Sequence, residues 1–268
     1  MDIFTYAFMQ RAFVAGFIVA LMCPLIGTFI VIKRQSLLSE GLGHIAFAGV
    51  TGAALMNIYP PLAAAGITVG AAVGIELVRR RHSQYTDMIL ALFFYTGLAL
   101  AVIFASMTKM PSTGLMNFLF GSILTVTDTD IISIAVAAVI VGVVIYSIYS
   151  RLLFTSFDEQ VAITAGIAVN RINMIFAILT ALVVVMGMTI VGILLIGALM
   201  IIPVASAHLW KAGFSKTLWI SEAYSILSVL LGLFIAFQFD LAPGGTIVLM
   251  AIVGYAITFA VSIMLNKK

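Results

Sequence analysis

Charge is what this sequence has least of. Only 9% of its 268 residues are Asp, Glu, Lys or Arg, while 63% are hydrophobic. A soluble globular domain carries about 25% charged residues around a smaller apolar share. Thirteen basic and ten acidic side chains cannot wet the surface of so large a core, which excludes a soluble enzyme. One cysteine, Cys23, lies inside an apolar run, so no internal disulfide is available. Met1-Asp2 lacks the basic start of a cleavable signal, and Phe8–Ile32 is expected to be a retained first span. The chain has no GxxxxGK[ST] to cradle nucleotide phosphates, no HExxH, no GxSxG and no arginine-rich span. Its net charge of +3 reflects loop lysines and arginines and not a nucleic-acid surface.

What the sequence does have is apolar runs from end to end, with a mean hydropathy of +1.25. About 20 apolar residues cross a hydrocarbon layer of about 30 Å. On that basis spans are expected at 8–32, 38–56, 61–78, 87–107, 131–150, 171–188, 190–208, 217–238 and 246–265. The stretch 171–208 is interrupted only near Gly187 and Gly192, so nine spans could fall to eight, and Met116–Thr127 is too short to span and reads as re-entrant or interfacial. The chain is thus an all-α, polytopic membrane bundle, with one transmembrane domain over 1–268. Alternating the nine spans puts Lys33, Arg34, Arg79, Arg80, Arg81, Arg151, Arg171, Lys211, Lys216, Lys267 and Lys268 on one side, against Arg11 and Lys109 on the other. Basic residues favour the cytoplasm, so the N-terminus is expected outside and the C-terminus inside. Small residues four apart, as in Gly66, Gly70 and Gly74, suit close helix packing in lipid.

Ionisable groups inside a membrane cost about 2.5–3.5 kcal/mol at a helix centre and call for an explanation. Glu40 and His44 are one helical turn apart on the second span. Such a pair shares a face at about 5–6 Å, and His44 lies about 15 Å along the axis from Arg34, close to the midplane. Carboxylate oxygen and imidazole nitrogen suit Zn²⁺ or Mn²⁺; a structural ion pair or a proton relay has the same spacing. His208, beside Trp210 and Lys211, reads as an interfacial anchor, and Glu222 as a partner for Lys211 or Lys216. His82 reads as a solvated loop residue, and Asp240-Leu241-Ala242-Pro243-Gly244-Gly245 as an external turn. Between spans five and six, Ser156 three residues before Glu159 suggests a capping box, and Gly166 a helix end, so a short helix is expected in that loop.

Four blocks carry a family resemblance: Arg34-Gln35-Ser36-Leu37-Leu38-Ser39-Glu40-Gly41-Leu42-Gly43-His44 and onward to Val50, the Phe157-Asp158-Glu159 loop ending at Gly166, Val191 to Ala207, and Asp240 to Leu249. Together they resemble the permease subunit of bacterial zinc, manganese and iron ABC importers, and zinc permeases in particular. The resemblance implies a fold like that of type II ABC importers in the bacterial cell membrane. It implies two copies forming the ion path, a separate cytoplasmic ATPase dimer that binds and hydrolyses ATP, and an extracellular or periplasmic metal-binding protein. It places the metal-coordinating pair at Glu40 and His44, and ATPase coupling at Phe157, Asp158, Glu159 and Gly166. Relatives commonly carry Asp where this chain has Glu40. The expected cargo is Zn²⁺, with Mn²⁺ or Fe²⁺ next; no permanent cofactor is expected, and the permease itself is not an enzyme. The rival is a proton-coupled metal carrier that uses Glu40 and His44 as its relay.

Overall fold

A computed structural model describes residues 6–108, 112–122, 126–188 and 190–265. Eleven α-helices account for nearly all of these, with no strand among the described residues. They are α1 (Ala7–Ile32), α2 (Ser36–Met56), α3 (Pro60–Arg81), α4 (Thr86–Met107), α5 (Ser112–Phe120), α6 (Asp128–Phe157), α7 (Glu159–Thr164), α8 (Val169–Gly187), α9 (Ile193–His208), α10 (Phe214–Phe239) and α11 (Pro243–Leu265). Backbone groups in lipid must be satisfied within their own segment, and helices do this. Each of the nine apolar segments is indeed a helix. Seven are long and apolar enough to cross a membrane. The other two depart for different reasons: α2 carries Glu40, His44 and two serines in its first turns, and α9 has only 16 residues.

Short connections make successive helices antiparallel, so the bundle has two ends. At one, Phe214 of α10 meets Phe29 of α1 and Phe157 of α6 through their rings, and α7 lies beside them. Lys33, Arg34, Arg79, Arg80, Arg81, Arg171, Lys211 and Lys216, at or beside helix termini, and Arg151, in the last two turns of α6, all belong to this end; Lys267, Lys268 and Lys109 lie outside the described residues. At the opposite end Arg11 pairs with Asp128 at 2.7 Å, and Tyr59 donates to Asp130 at 3.4 Å.

Helix α1 is the hub, packing on α10, α9, α6 and α8, with Ala12, Ala15, Val19, Cys23, Ile26 and Phe29 fully buried. Helix α2 is enclosed by α4, α3 and α9, and every residue from Gly41 to Thr51 is buried. Outward faces are apolar as well: Ile132, Val136, Val139, Val143 and Tyr146 form an exposed stripe along α6 at helical spacing.

The interrupted stretch resolves into two helices, α8 and α9, with Gly192 immediately before α9. Gly192 has φ +89°, and a Cβ there would stand 2.6 Å from the backbone of Phe120 and Gly121. Only glycine accommodates both the left-handed backbone and that approach. Of the segment expected to be re-entrant, Met116–Phe120 belongs to the nine-residue α5, which packs on α9 at the end opposite α7 and is too short to span, and 123–125 lie outside the described residues.

Candidate functional site

Helix α2 positions the two ionisable side chains. It starts directly after a three-residue turn in which Arg34 has φ +54° and Gln35 N–H bonds Ile30 O at 3.0 Å. Small residues then let its neighbours close in. Gly97 of α4 sits so near that a Cβ would lie 2.8 Å from Ile45 N and 3.0 Å from the carbonyl carbon of His44. On the other side, Gly43 faces Ile193 O of α9, so that a Cβ at 43 would stand 3.1 Å from it.

Into this sandwich His44 places its ring edge-on to Phe94 of α4, centroids 4.5 Å apart at 79°. The residue is 8% exposed, and its Nδ1 has no hydrogen-bond partner. Orphaned buried ring nitrogens are uncommon, because leaving one unmade costs about 1–3 kcal/mol. Glu40 is half-buried and leans towards α9, where its carboxylate occupies the space a side chain at Gly197 would fill: a Cβ there would be 2.8 Å from Glu40 Cδ. Neither a hydrogen bond nor an ion pair is made by Glu40 among the described residues. The two groups are stacked about 6 Å apart along the α2 axis and are not locked to each other. The arrangement leaves one carboxylate and one ring nitrogen without partners among the described residues. No group of three or more His, Cys, Asp or Glu gathers among the described residues.

Helix α7 is present where the loop motif predicted it, but its cap is different. Asp158, not Ser156, is the N-cap; its Oδ1 accepts from Gln160 N at 2.8 Å and Val161 N at 3.0 Å. Ser156 remains inside α6 and donates to Leu152 O at 2.7 Å. Glu159, 39% exposed, does not reach back to close a capping box, because partners on other helices draw it away. Its Oε1 accepts from Asn173 Nδ2 at 2.9 Å and lies 3.4 Å from Arg79 Nη1. The other end follows the expected pattern: Gly166 has φ +78°, with Gly166 N bonding Ile163 O and Ile167 N bonding Ala162 O, each at 3.0 Å. Phe157 and Val161 are 65% and 52% exposed, leaving α7 an apolar outer face beside Phe157.

The remaining candidates separate. His208 ends α9 in solvent-facing position, and Trp210 donates to Tyr224 OH at 3.3 Å, as suits an anchor. Glu222 is half-buried on α10 and forms no ion pair among the described residues, so the expected pairing with Lys211 or Lys216 is not made. His82 is exposed after α3. Asp240 closes α10 in the left-handed conformation (φ 52°) and lines a 460 Å³ cavity with Phe8, Phe237 and Pro243, at the end opposite α7. Three contributors were not legible in the sequence. Phe94 and Gly197 meet the site only through packing, and Glu76, 4% exposed as a side chain, is held by Arg79 at 2.9 Å. An i,i+3 acid–base spacing could have flagged Glu76; nothing local points to the others.

Residues 5–262 match the ABC 3 transport family. The chain belongs to that family. Among ABC 3 relatives, a Treponema pallidum protein called a probable metal transport system membrane protein is 33% identical over 258 residues, 96% of each chain. The manganese import system permease protein ScaB of Streptococcus gordonii is 31% identical, over 96% of this chain and 92% of its own. In three dimensions the ABC 3 fold here is similar to a chain of PsaBC from Streptococcus pneumoniae, solved with a Fab, with a TM-score of 0.84 at 30% identity, over 95% of this chain and 91% of that one. The chain is a multi-pass membrane protein with the fold of an ABC permease.

Proposed function

We propose that this chain is the membrane-spanning subunit of an ATP-driven importer of divalent transition-metal ions, and that Glu40 and His44 are its transient ion ligands. The observation that carries the reading is the unpaired imidazole nitrogen beside an unpaired carboxylate, one turn apart, in a helix buried on three sides. Ions must be held well enough to enter and weakly enough to leave. Two donors per chain suit that need, with a second copy or water completing the shell. Nine membrane crossings follow, α2 and α9 included, with the basic end in the cytoplasm by the positive-inside rule. There the exposed Phe157 and Val161 of the α7 region receive a separate ATPase, and the opposite end, around Asp240, faces the protein that delivers the ion.

Manganese is the ion named in the S. gordonii relative, and an oxygen donor suits it; zinc suits the imidazole. Neither donor excludes the other ion, so competition between them is the measurement. The experiment is uptake of radiolabelled manganese or zinc by vesicles containing this chain, with and without the ATPase. ATP-dependent uptake that His44→Ala abolishes at unchanged membrane abundance is expected. Uptake driven by a pH gradient without the ATPase would replace this reading with a proton-coupled carrier. Wild-type uptake by His44→Ala would remove the ligand assignment. Phe157→Ala should lose the stimulation of ATP hydrolysis by the complex.

A further inference from the structure

Helix α7 packs on α6 and α8, its neighbours in sequence. It also reaches two elements against which it does not pack, and it does so through Glu159. This carboxylate accepts from Asn173 of α8 at 2.9 Å, faces Arg79 of α3 at 3.4 Å and stands 3.9 Å from Lys33 in the turn between α1 and α2. Lys33 has a side chain only 3% exposed; its Nζ donates to Asn173 Oδ1 at 2.6 Å and lies 5.8 Å from the centre of the Phe176 ring. Arg79 is 11% exposed and holds Glu76 through Nε at 2.9 Å and Nη2 at 3.1 Å. Lys33, Arg79 and Glu76 are nearly buried and Glu159, 39% exposed, closes the group at its rim, where charge–charge forces remain stronger than on an open surface. Moving Glu159 alone would take from a buried ammonium its nearest carboxylate.

Lys33 sits in the turn that ends α1 and begins α2. Its own N–H bonds Phe29 O, Arg34 N bonds Val31 O and Gln35 N bonds Ile30 O, all of α1, while Leu38 N of α2 bonds Gln35 O at 2.8 Å, so the turn is tied to both helices where α2 begins at Ser36. Glu40 follows in the next turn. Beside the cluster, an 810 Å³ cavity lined by Lys33, Arg79, Asp87, Phe157 and Glu159 opens at the same end. The ion cluster is thus a polar tie between α7 and the turn that starts α2.

We infer that Glu159 is a positioning residue: it faces the permease interior, not a partner, and transmits displacement of α7 through Lys33 and Arg79 to α2, and so to Glu40. This rests on the reading that α7 receives the ATPase, and the experiment separates the two. Spin labels at the exposed Gln160 of α7 and the exposed Leu37 of α2 report their separation in the whole transporter, reconstituted with ATPase and binding protein, with and without trapped ATP. In the otherwise unaltered chain the two labels should move together and keep one distance. In Glu159→Gln, which retains the acceptor for Asn173 but loses the charge, the distance should change on ATP trapping, and metal moved per ATP hydrolysed should fall at least tenfold. Lys33→Gln should do the same, and the double variant no more than either alone. An unchanged label distance in both single variants overturns the inference, whether or not hydrolysis survives. If Phe157→Ala leaves stimulated hydrolysis intact, the ATPase reading of α7 fails instead.

Discussion

Gly197→Ala tests the ion site without touching either proposed ligand. A methyl group at this position would stand 2.8 Å from Cδ and 3.3 Å from Cγ of Glu40, where comfortable carbon contacts are about 3.5–4.0 Å. The three nearest atoms all belong to the Glu40 side chain, so relief comes from rotating that side chain by about 1 Å and not from parting α2 and α9. An off-rotamer torsion of this kind costs about 0.5–1.5 kcal/mol, so folding and membrane abundance should hold. Metal–ligand distances tolerate only about 0.2 Å, so the oxygen donor is lost to the ion. Uptake of radiolabelled manganese at limiting concentration should fall at least tenfold, a change of about 1.4 kcal/mol or more. Glu40→Asp shortens the side chain by one methylene and makes room for the methyl. Adding Gly197→Ala to Glu40→Asp should therefore change little, and adding it to Glu40→Ala should change nothing. Gly197→Ala importing metal with the unaltered concentration dependence would refute the placement of the carboxylate in the ion path.

Three further outcomes are expected. Burial lowers Lys33 from its ordinary 10.5 to about 8, against the opposing pull of Glu159. The unfolded chain then binds more protons between about pH 8 and pH 10.5, so stability rises with pH across that window, by at most about 3 kcal/mol, with the burial penalty complete below it. Lys33→Met should lack this rise in thermal unfolding of the detergent-solubilised protein; parallel pH profiles would show that Lys33 is solvated. Gly192→Ala forces a φ of +89° on a residue with a Cβ against backbone, costing upwards of about 1–3 kcal/mol; a strong loss of folded protein in membranes is expected, and normal abundance would place the α8–α9 break elsewhere. Tyr224→Phe removes the hydroxyl that bridges Trp210 and Thr258, lowering stability by about 1 kcal/mol; an unchanged melting temperature would mean the bridge carries no net weight.

Much of the architecture was legible because lipid leaves so few choices. An apolar run in a bilayer must be a helix, so the nine expected segments fall on α1–α4, α6 and α8–α11, with ends shifted by up to seven residues, as where α6 runs on to Phe157. Membrane cost likewise singles out Glu40 and His44 before any coordinates. Local motifs were less dependable. Ser156 and Glu159 have the spacing of a capping box, yet Asp158 caps α7, because Ser156 is held within α6 and Glu159 gains more from Asn173, Arg79 and Lys33. Long-range electrostatics overrode a local hydrogen bond. Glu222, expected to seek a lysine, forms no ion pair among the described residues; the buried positions near it on α10 are Thr217, Ser221 and Ser225.

The amino-acid order by itself determined that the chain is helical, lies in a membrane, gathers its basic residues at one end and carries an acid and an imidazole on one helical turn. These follow from composition, period and the cost of charge in hydrocarbon, all of which act within a segment. Only the tertiary structure decided that the imidazole meets Phe94, that the carboxylate rests in the space left by Gly197, and that Glu159 binds three other elements at once. Those contacts join residues up to 157 positions apart, and no periodicity within a segment encodes which helix becomes its neighbour.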